Sequence, residues 1–326
     1  DVAFAQEYWD IEEGGNFEGE SIPNRLSVIS GDWTEGLADL PETMVALRTK
    51  LLDARMKRVA PETDCKVLAA WNGLMITAFA RAGAVFGEQR WLDAASDAAR
   101  FVLQEMGAEE GGVYRTFKDG ARVRGYLDDH ANLAAGLFDL FEATSELHWL
   151  DEAEALVDFF VREFWDADGG AFYFAAAHHA DLLVRQKEGY DGATPASNSI
   201  AVMTLLRVSA ATGRTDLRDI ADTCLRSYYP QMLRAPYSLA EMMQALDFHL
   251  TGAEEVVCAT PDGLTSLAGE AWREYRPNGI IFDVHGDDYA TRVPVAHGRG
   301  PLNHAPTVYV CHEGTCELPR LSLIHI

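Results

Sequence analysis

Self-similarity constrains this chain more than any other feature. Residues 70–106 read AWNGLMITAFARAGAVFGEQRWLDAASDAARFVLQEM, residues 130–165 read HANLAAGLFDLFEATSELHWLDEAEALVDFFVREFW, and residues 196–232 read ASNSIAVMTLLRVSAATGRTDLRDIADTCLRSYYPQM. Each copy is an Asn-led apolar segment rich in small residues, a short polar turn and a second, amphipathic segment. A spacing of about 60 residues marks a stacked array of helical hairpins. Asn72, Asn132 and Asn198 begin equivalent first helices, and residues 90–93 (RWLD) and 148–151 (HWLD) open equivalent second helices. Leu74, Met75, Ile76, Ala78, Phe79 and Ala80 make the first helix apolar on nearly all sides, which predicts burial on both flanks. In the second helix Asp93, Ser96, Asp97 and Arg100 alternate with Leu92, Ala95, Ala99 and Phe101, which predicts one outward polar face. The expected architecture is an inner ring of helices inside an outer ring, with the three asparagines at one mouth.

The pattern predicts about eight helices, near 42–58, 67–86, 90–107, 127–145, 149–166, 196–212, 215–232 and 236–250. A closed ring of six hairpins needs twelve. The fold class is therefore all-α, an incomplete (α/α)6 toroid over residues 1–252, expected to expose apolar faces that further hairpins would bury. Glu-Glu-Gly-Gly at 109–112, Asp-Gly-Gly at 168–170 and Glu-Glu-Gly-Gly at 12–15 each lead into an aromatic stretch, the signal of a short β-hairpin at the ring mouth. The pattern changes in 253–320, where strands at 255–259 and 279–284 flank a helix near 263–275, a small α/β appendage. Residues 321–326 form an apolar tail. The chain starts at Asp1 without an initiator Met or a basic-then-apolar leader, so it is expected to begin inside a longer protein.

Composition excludes several functions. With 51 acidic and 27 basic residues the formal charge is −24, which repels nucleic acid and anionic membrane surfaces. The apolar runs fall far short of the ~20 residues of a membrane span. Five cysteines, at 65, 224, 258, 311 and 316, are too few and odd in number for a disulfide framework, which makes the cytoplasm the default location. Cys311 and Cys316 enclose His312, but a structural zinc site needs four ligands and no second pair stands out, so they read as buried or strand-flanking thiols. No nucleophile elbow, phosphate loop or H-E-x-x-H is present. No cofactor or metal is expected.

Several segments together resemble the spermatogenesis-associated protein 20-like family, in which a thioredoxin-like domain precedes a six-hairpin, glycosidase-like toroid. They are GNFEG at 15–19, KVLAAWNGLM at 66–75, YLDDHA at 126–131, KEGYDGA at 187–193 with Pro195 and Ser197-Asn198-Ser199, Val310-Cys311, and CELP at 316–319. The resemblance runs from residue 7 to about 319 and corresponds to the C-terminal toroid. It implies a fold like that of glycosidases and sugar epimerases, with a thioredoxin-like domain and the first hairpins upstream as partners within the same protein.

Glycoside chemistry uses two carboxyl groups, one as acid and one as base or nucleophile. Asp128, Asp129 and His130 open one inner helix at the expected mouth, and Glu188, Tyr190 and Asp191 lie just before the next. Asp128, Asp129, His130, Glu188 and Asp191 are the catalytic candidates. Trp71, Asn72, Tyr190 and Asn198 are candidates for binding a sugar, through ring stacking and amide hydrogen bonds. Each has a structural alternative: helix capping for the aspartates, a hydrogen-bonded structural role for His130, an Asx turn for the 187–192 loop and core packing for Trp71. The leading reading is a glycoside hydrolase or sugar epimerase acting on a sugar ligand. The rival is a non-catalytic or redox-associated scaffold for the upstream domain.

Overall fold

A computed structural model describes residues 2–26, 42–179, 182–261, 264–312 and 314–321. Of the tail expected at 321–326, residues 322–326 lie outside the described residues. The chain divides into two compact units, Asp1–Asp64 and Cys65–Ile326.

The first unit contains α1 (Val2–Tyr8) and α2 (Glu42–Met56), the latter burying Met44 and Leu47. The hairpin expected near Gly14-Gly15 is reduced to one bridge between Phe17 and Glu20. The Asn16 side chain closes this loop by pairing with both backbone groups of Ile22.

The second unit is a partial (α/α)6 toroid. Inner helices α3 (Ala69–Phe86), α5 (Leu127–Thr144), α7 (Ser197–Thr212) and α9 (Ala240–Thr251) lie side by side in that order. Outer helices α4 (Gln89–Glu105), α6 (Leu147–Phe164) and α8 (Thr215–Arg234) pack on α3, α5 and α7 respectively. All three hairpins turn the same way, through a left-handed residue whose N–H returns to the helix: Gly87, Ser145 and Gly213. Close approach of α3 and α5 explains two inner-helix glycines. A Cβ on Gly73 would overlap the backbone of Asn132, and one on Gly136 would lie 2.7 Å from the Gly73 carbonyl oxygen.

Helix α5 and most of α7 are buried on both flanks, as the apolar pattern predicts. Helix α3 is not. Trp71, Met75, Val85 and Phe86 stay exposed at helical spacing, so α3 is an open edge of the array. In α4, Ser96 turns inward with Ala95 and Ala99 instead of joining the outward polar face, because it lies on the arc that meets α3.

The inserts differ from one another. Strands β2 (Tyr114–Phe117) and β3 (Ala121–Arg124) form the expected hairpin, to which β1 (Val67–Leu68) adds a third strand. The second insert pairs β4 (Trp165–Asp166) with β5 (Ala171–Phe172) across the Gly169-Gly170 turn, and the stretch after it stays irregular.

After α9 the chain forms a sheet ordered β7-β6-β8-β9 from β6 (Glu254–Ala259), β7 (Gly279–Val284), β8 (Thr307–His312) and β9 (Thr315–Cys316). The expected helix between β6 and β7 shortens to α10 (Ala268–Ala271), and α11 (Asp287–Arg292) follows β7. Alternation of period two sends Val257, Ile280, Phe282, Tyr309 and Cys311 into the helical core, while Val256, Cys258, Ile281, Val308 and Val310 face α10. Cys311 and Cys316, expected as separate thiols, are opposite each other in paired strands and are joined as a disulfide.

Candidate active site

Backbone N–H groups at the start of a helix lack intrahelical partners, and carboxylates supply them. Asp129 does so for two helices at once. It is fully buried; Oδ1 accepts the Ala70 N–H of α3 at 3.1 Å, and Oδ2 accepts the Tyr126 N–H at the cap of α5 at 2.9 Å. Asp191 repeats the device one hairpin on, accepting the Ala196 N–H at the cap of α7 at 2.8 Å and the Glu241 N–H of α9 at 2.9 Å. Each aspartate thus ties two inner-helix N-termini together and brings all four to one mouth.

Arg115, from β2, reaches the same mouth. Its Nη1 donates to both oxygens of Asp128, at 2.9 and 3.1 Å, and to Asp129 Oδ2 at 2.8 Å. Burial raises both carboxyls above the ordinary carboxylate range; Asp129's charge adds to the rise at Asp128, and Arg115 opposes it at both. Glu188 keeps its carboxyl at the surface, with no hydrogen-bond partner among the described residues. Partial desolvation and the nearby charge of Asp128 push it up, while Arg115 pulls it down. The charge of Asp128 thus bears on an acid from a segment sixty residues away in the sequence.

His130 is buried and committed at both nitrogens. Nδ1 lies 2.7 Å from the Tyr126 carbonyl and Nε2 accepts the Val113 N–H at 3.1 Å, an arrangement that fits the neutral Nδ1–H tautomer. Its ring stacks on Phe159 at 4.7 Å. Burial lowers its pKa to about 4. The unfolded chain therefore binds a proton that the native fold refuses between pH 6.5 and 4. Stability is present above pH 6.5 and is lost as pH falls through the folded value, by about 3 kcal/mol from this group. A His130→Gln protein, whose amide oxygen can take the place of Nε2 in accepting the Val113 N–H and does not titrate, is expected to lose less stability between pH 7 and 4.5 in denaturant titrations. Equal losses in the two proteins would rule this out.

Asn198 is a clamp: Oδ1 accepts the Phe172 N–H at 2.8 Å, and Nδ2 donates to the carbonyls of Phe172 and Glu188 at 3.0 and 2.8 Å. It fixes the backbone that presents Glu188. Asn72 donates to Leu68 O one helical turn back. Trp71 and Tyr190 are 62% and 70% exposed, which removes core packing as the reason for Trp71 and leaves both rings available at the surface. The structure thus gathers Asp128, Asp129 and Glu188 around Arg115, whereas Asp191 serves helix ends with both oxygens.

Two contributors escape the sequence pattern. Arg115 is a single basic residue in a short strand, distinguished only by following the Gly-Gly turn. His179 stacks on Tyr126 at 4.6 Å, and Tyr126 in turn stacks on Phe174 at 5.0 Å and receives the Arg115 guanidinium over its ring. A cleft of about 510 Å³ opens toward the C-terminal ends of α3 and α5, lined by Arg81, Glu142, Arg207, Glu241 and Arg276. Most of its charged groups are paired with one another: Arg81 and Arg207 with Asp139, Arg207 with Glu142, and Arg276 with Glu254 and Glu274. The mouth is the better candidate because Arg115 draws Asp128 and Asp129 together there and Glu188 stays exposed, with no side-chain partner among the described residues.

No protein-family model matches the sequence. Spermatogenesis-associated protein 20 from Homo sapiens is 33% identical over 287 residues, which are 83% of this chain and 36% of that protein. The Mus musculus protein of the same name is 32% identical over the same shares. The chain thus spans 36% of the length of these relatives. Among solved structures, a GH76 α-mannanase from Bacteroides thetaiotaomicron has a TM-score of 0.49 at 18% identity, covering 59% of this chain and 55% of that one. A cellobiose 2-epimerase from Bacillus thermoamylovorans has a TM-score of 0.45 at 13% identity, covering 52% and 46%. Among the described residues, no helix is long and apolar enough to cross a membrane.

Proposed function

Since this chain belongs, over the 83% of its length that aligns, with spermatogenesis-associated protein 20 and the family that shares its toroid, we propose that its mouth carries acid–base chemistry on a saccharide. Asp128 and Glu188 are the working pair. Glu188, with a raised carboxyl and no competing partner, is the proton donor. Asp128, held on both oxygens by Arg115, is the anionic partner that accepts a proton or stabilises positive charge on the sugar. Trp71 and Tyr190 offer ring faces to a sugar, and Asn198 positions the Glu188 backbone. Asp129, His130 and Asp191 are positioning residues. The observation that carries this reading is geometric: Arg115 holds Asp128 on both oxygens while the Asn198 clamp fixes the backbone of an exposed Glu188.

The test is turnover of a panel of neutral mono- and oligosaccharides by the parent protein, Asp128→Asn and Glu188→Gln. Either substitution is expected to reduce turnover by about 10²-fold or more while leaving the melting temperature nearly unchanged. Product analysis separates hydrolysis from epimerisation. A parent protein inert toward every sugar, or variants as active as the parent, would overturn the reading.

A further inference from the structure

The disulfide lies far from this chemistry in the chain, and its two sulfurs have unequal surroundings. Cys311, in β8, is fully buried and part of the main core; Cys316, in β9 at the sheet edge, is partly exposed. Arg299 addresses only the latter. Its Nε donates to Cys316 Sγ at 2.8 Å, Nη2 donates to Gly314 O at 3.3 Å, and Nη1 donates to Val295 O. Carbonyl oxygens hold the guanidinium in place without neutralising it, and no carboxylate among the described residues pairs with it. A cation beside a neutral disulfide sulfur gains little, whereas the same contact to a thiolate is a charge-assisted hydrogen bond.

We propose that Cys311 and Cys316 form a thiol–disulfide exchange site, with Cys316 as the attacking thiol, Arg299 as the group that stabilises its thiolate, and small disulfides of the glutathione class as the oxidant. The Cys316 thiolate attacks one sulfur of the oxidant, forming a mixed disulfide and expelling one thiolate. Cys311 then gives up its proton to solvent and attacks Cys316 Sγ, closing the protein disulfide and expelling the second thiolate. Two electrons pass from the protein dithiol to the oxidant, which leaves as two thiols. Reduction runs the same path backwards, the external thiolate entering at the exposed sulfur. Burial pushes Cys224 and Cys258 to about 12, so neither competes.

The test holds the folded chain in glutathione buffers of varied ratio, traps thiols by alkylation and reads the peptides by mass. The 311–316 pair is expected to interconvert reversibly while the circular dichroism spectrum stays native. Cys311→Ser is expected to accumulate one glutathione on Cys316, and Arg299→Gln to slow that step roughly fivefold, with Arg299→Lys restoring much of it. A bond that never opens or reforms in the native protein would overturn the proposal. So would glutathione trapped on Cys311, or equal rates with and without Arg299.

Discussion

Asp129→Ala is expected to destabilise the native state by roughly 3–5 kcal/mol, the scale for removing a buried partner and leaving its donors unsatisfied. Two backbone donors lose their acceptor together, Ala70 N–H and Tyr126 N–H, and the Arg115 guanidinium is left, among the described residues, with Asp128 alone as its acceptor. The first two belong to different inner helices, so the loss loosens the seam between α3 and α5. The neighbouring Asp128→Asn is expected to cost only about 1 kcal/mol, because Asp128 is partly exposed and, among the described residues, its side-chain partner is Arg115 alone. Urea titration of the two variants beside the parent measures both. Similar losses would mean that Asp129 is not the helix clamp.

The second large effect lies deeper in the array. Arg207, from α7, donates to Asp139 and Glu142 of α5, and Asp139 also accepts Arg81 of α3. Burial pushes Asp139 up, but Arg207 and Arg81 together hold it below the ordinary range. Burial and the charge of Asp139 keep Glu142 above it. Glu142 also accepts the Ile281 N–H at 3.0 Å, which docks edge strand β7 on the helices. Arg207→Met is expected to cost roughly 3–5 kcal/mol at pH 7, because Glu142 becomes a buried, unpaired carboxylate. Losing its cation raises the folded pKa of Glu142 further. A raised carboxyl contributes stability below its unfolded pKa and loses it as pH rises, so the deficit should shrink as pH falls from 7 toward 4. Adding Glu142→Gln should recover part of the loss, a coupling that a double-mutant cycle reads directly. A deficit that is independent of pH and additive with Glu142→Gln would contradict this account.

The hairpin array was legible because burial writes itself into periodicity. Asn72 and Asn198 fall in the first turn of α3 and α7, whereas Asn132 lies a turn further into α5, where its backbone packs on Gly73. Strands β6 and β7 were legible through short β-branched runs. The division of labour among the acids was not. Asp128 and Asp129 are adjacent and chemically identical, and only the turn of the helix decides that one caps two helices while the other faces the mouth. Asp191 and Glu188 pose the same ambiguity. The role of Arg115 depends on contacts between segments that no local pattern encodes, and the disulfide depends on the tight turn that sets Cys311 opposite Cys316.

Whether Asp128 and Glu188, and not Asp129 and Asp191, form the working pair is tested most directly by a ¹³C NMR titration of side-chain carboxyls in the parent protein and in Asp128→Asn. The account predicts that Glu188 titrates above the ordinary glutamate range in the parent, moves down when Asp128 loses its charge, and shifts on addition of a bound saccharide. A Glu188 that titrates normally in both proteins and ignores sugar would contradict it.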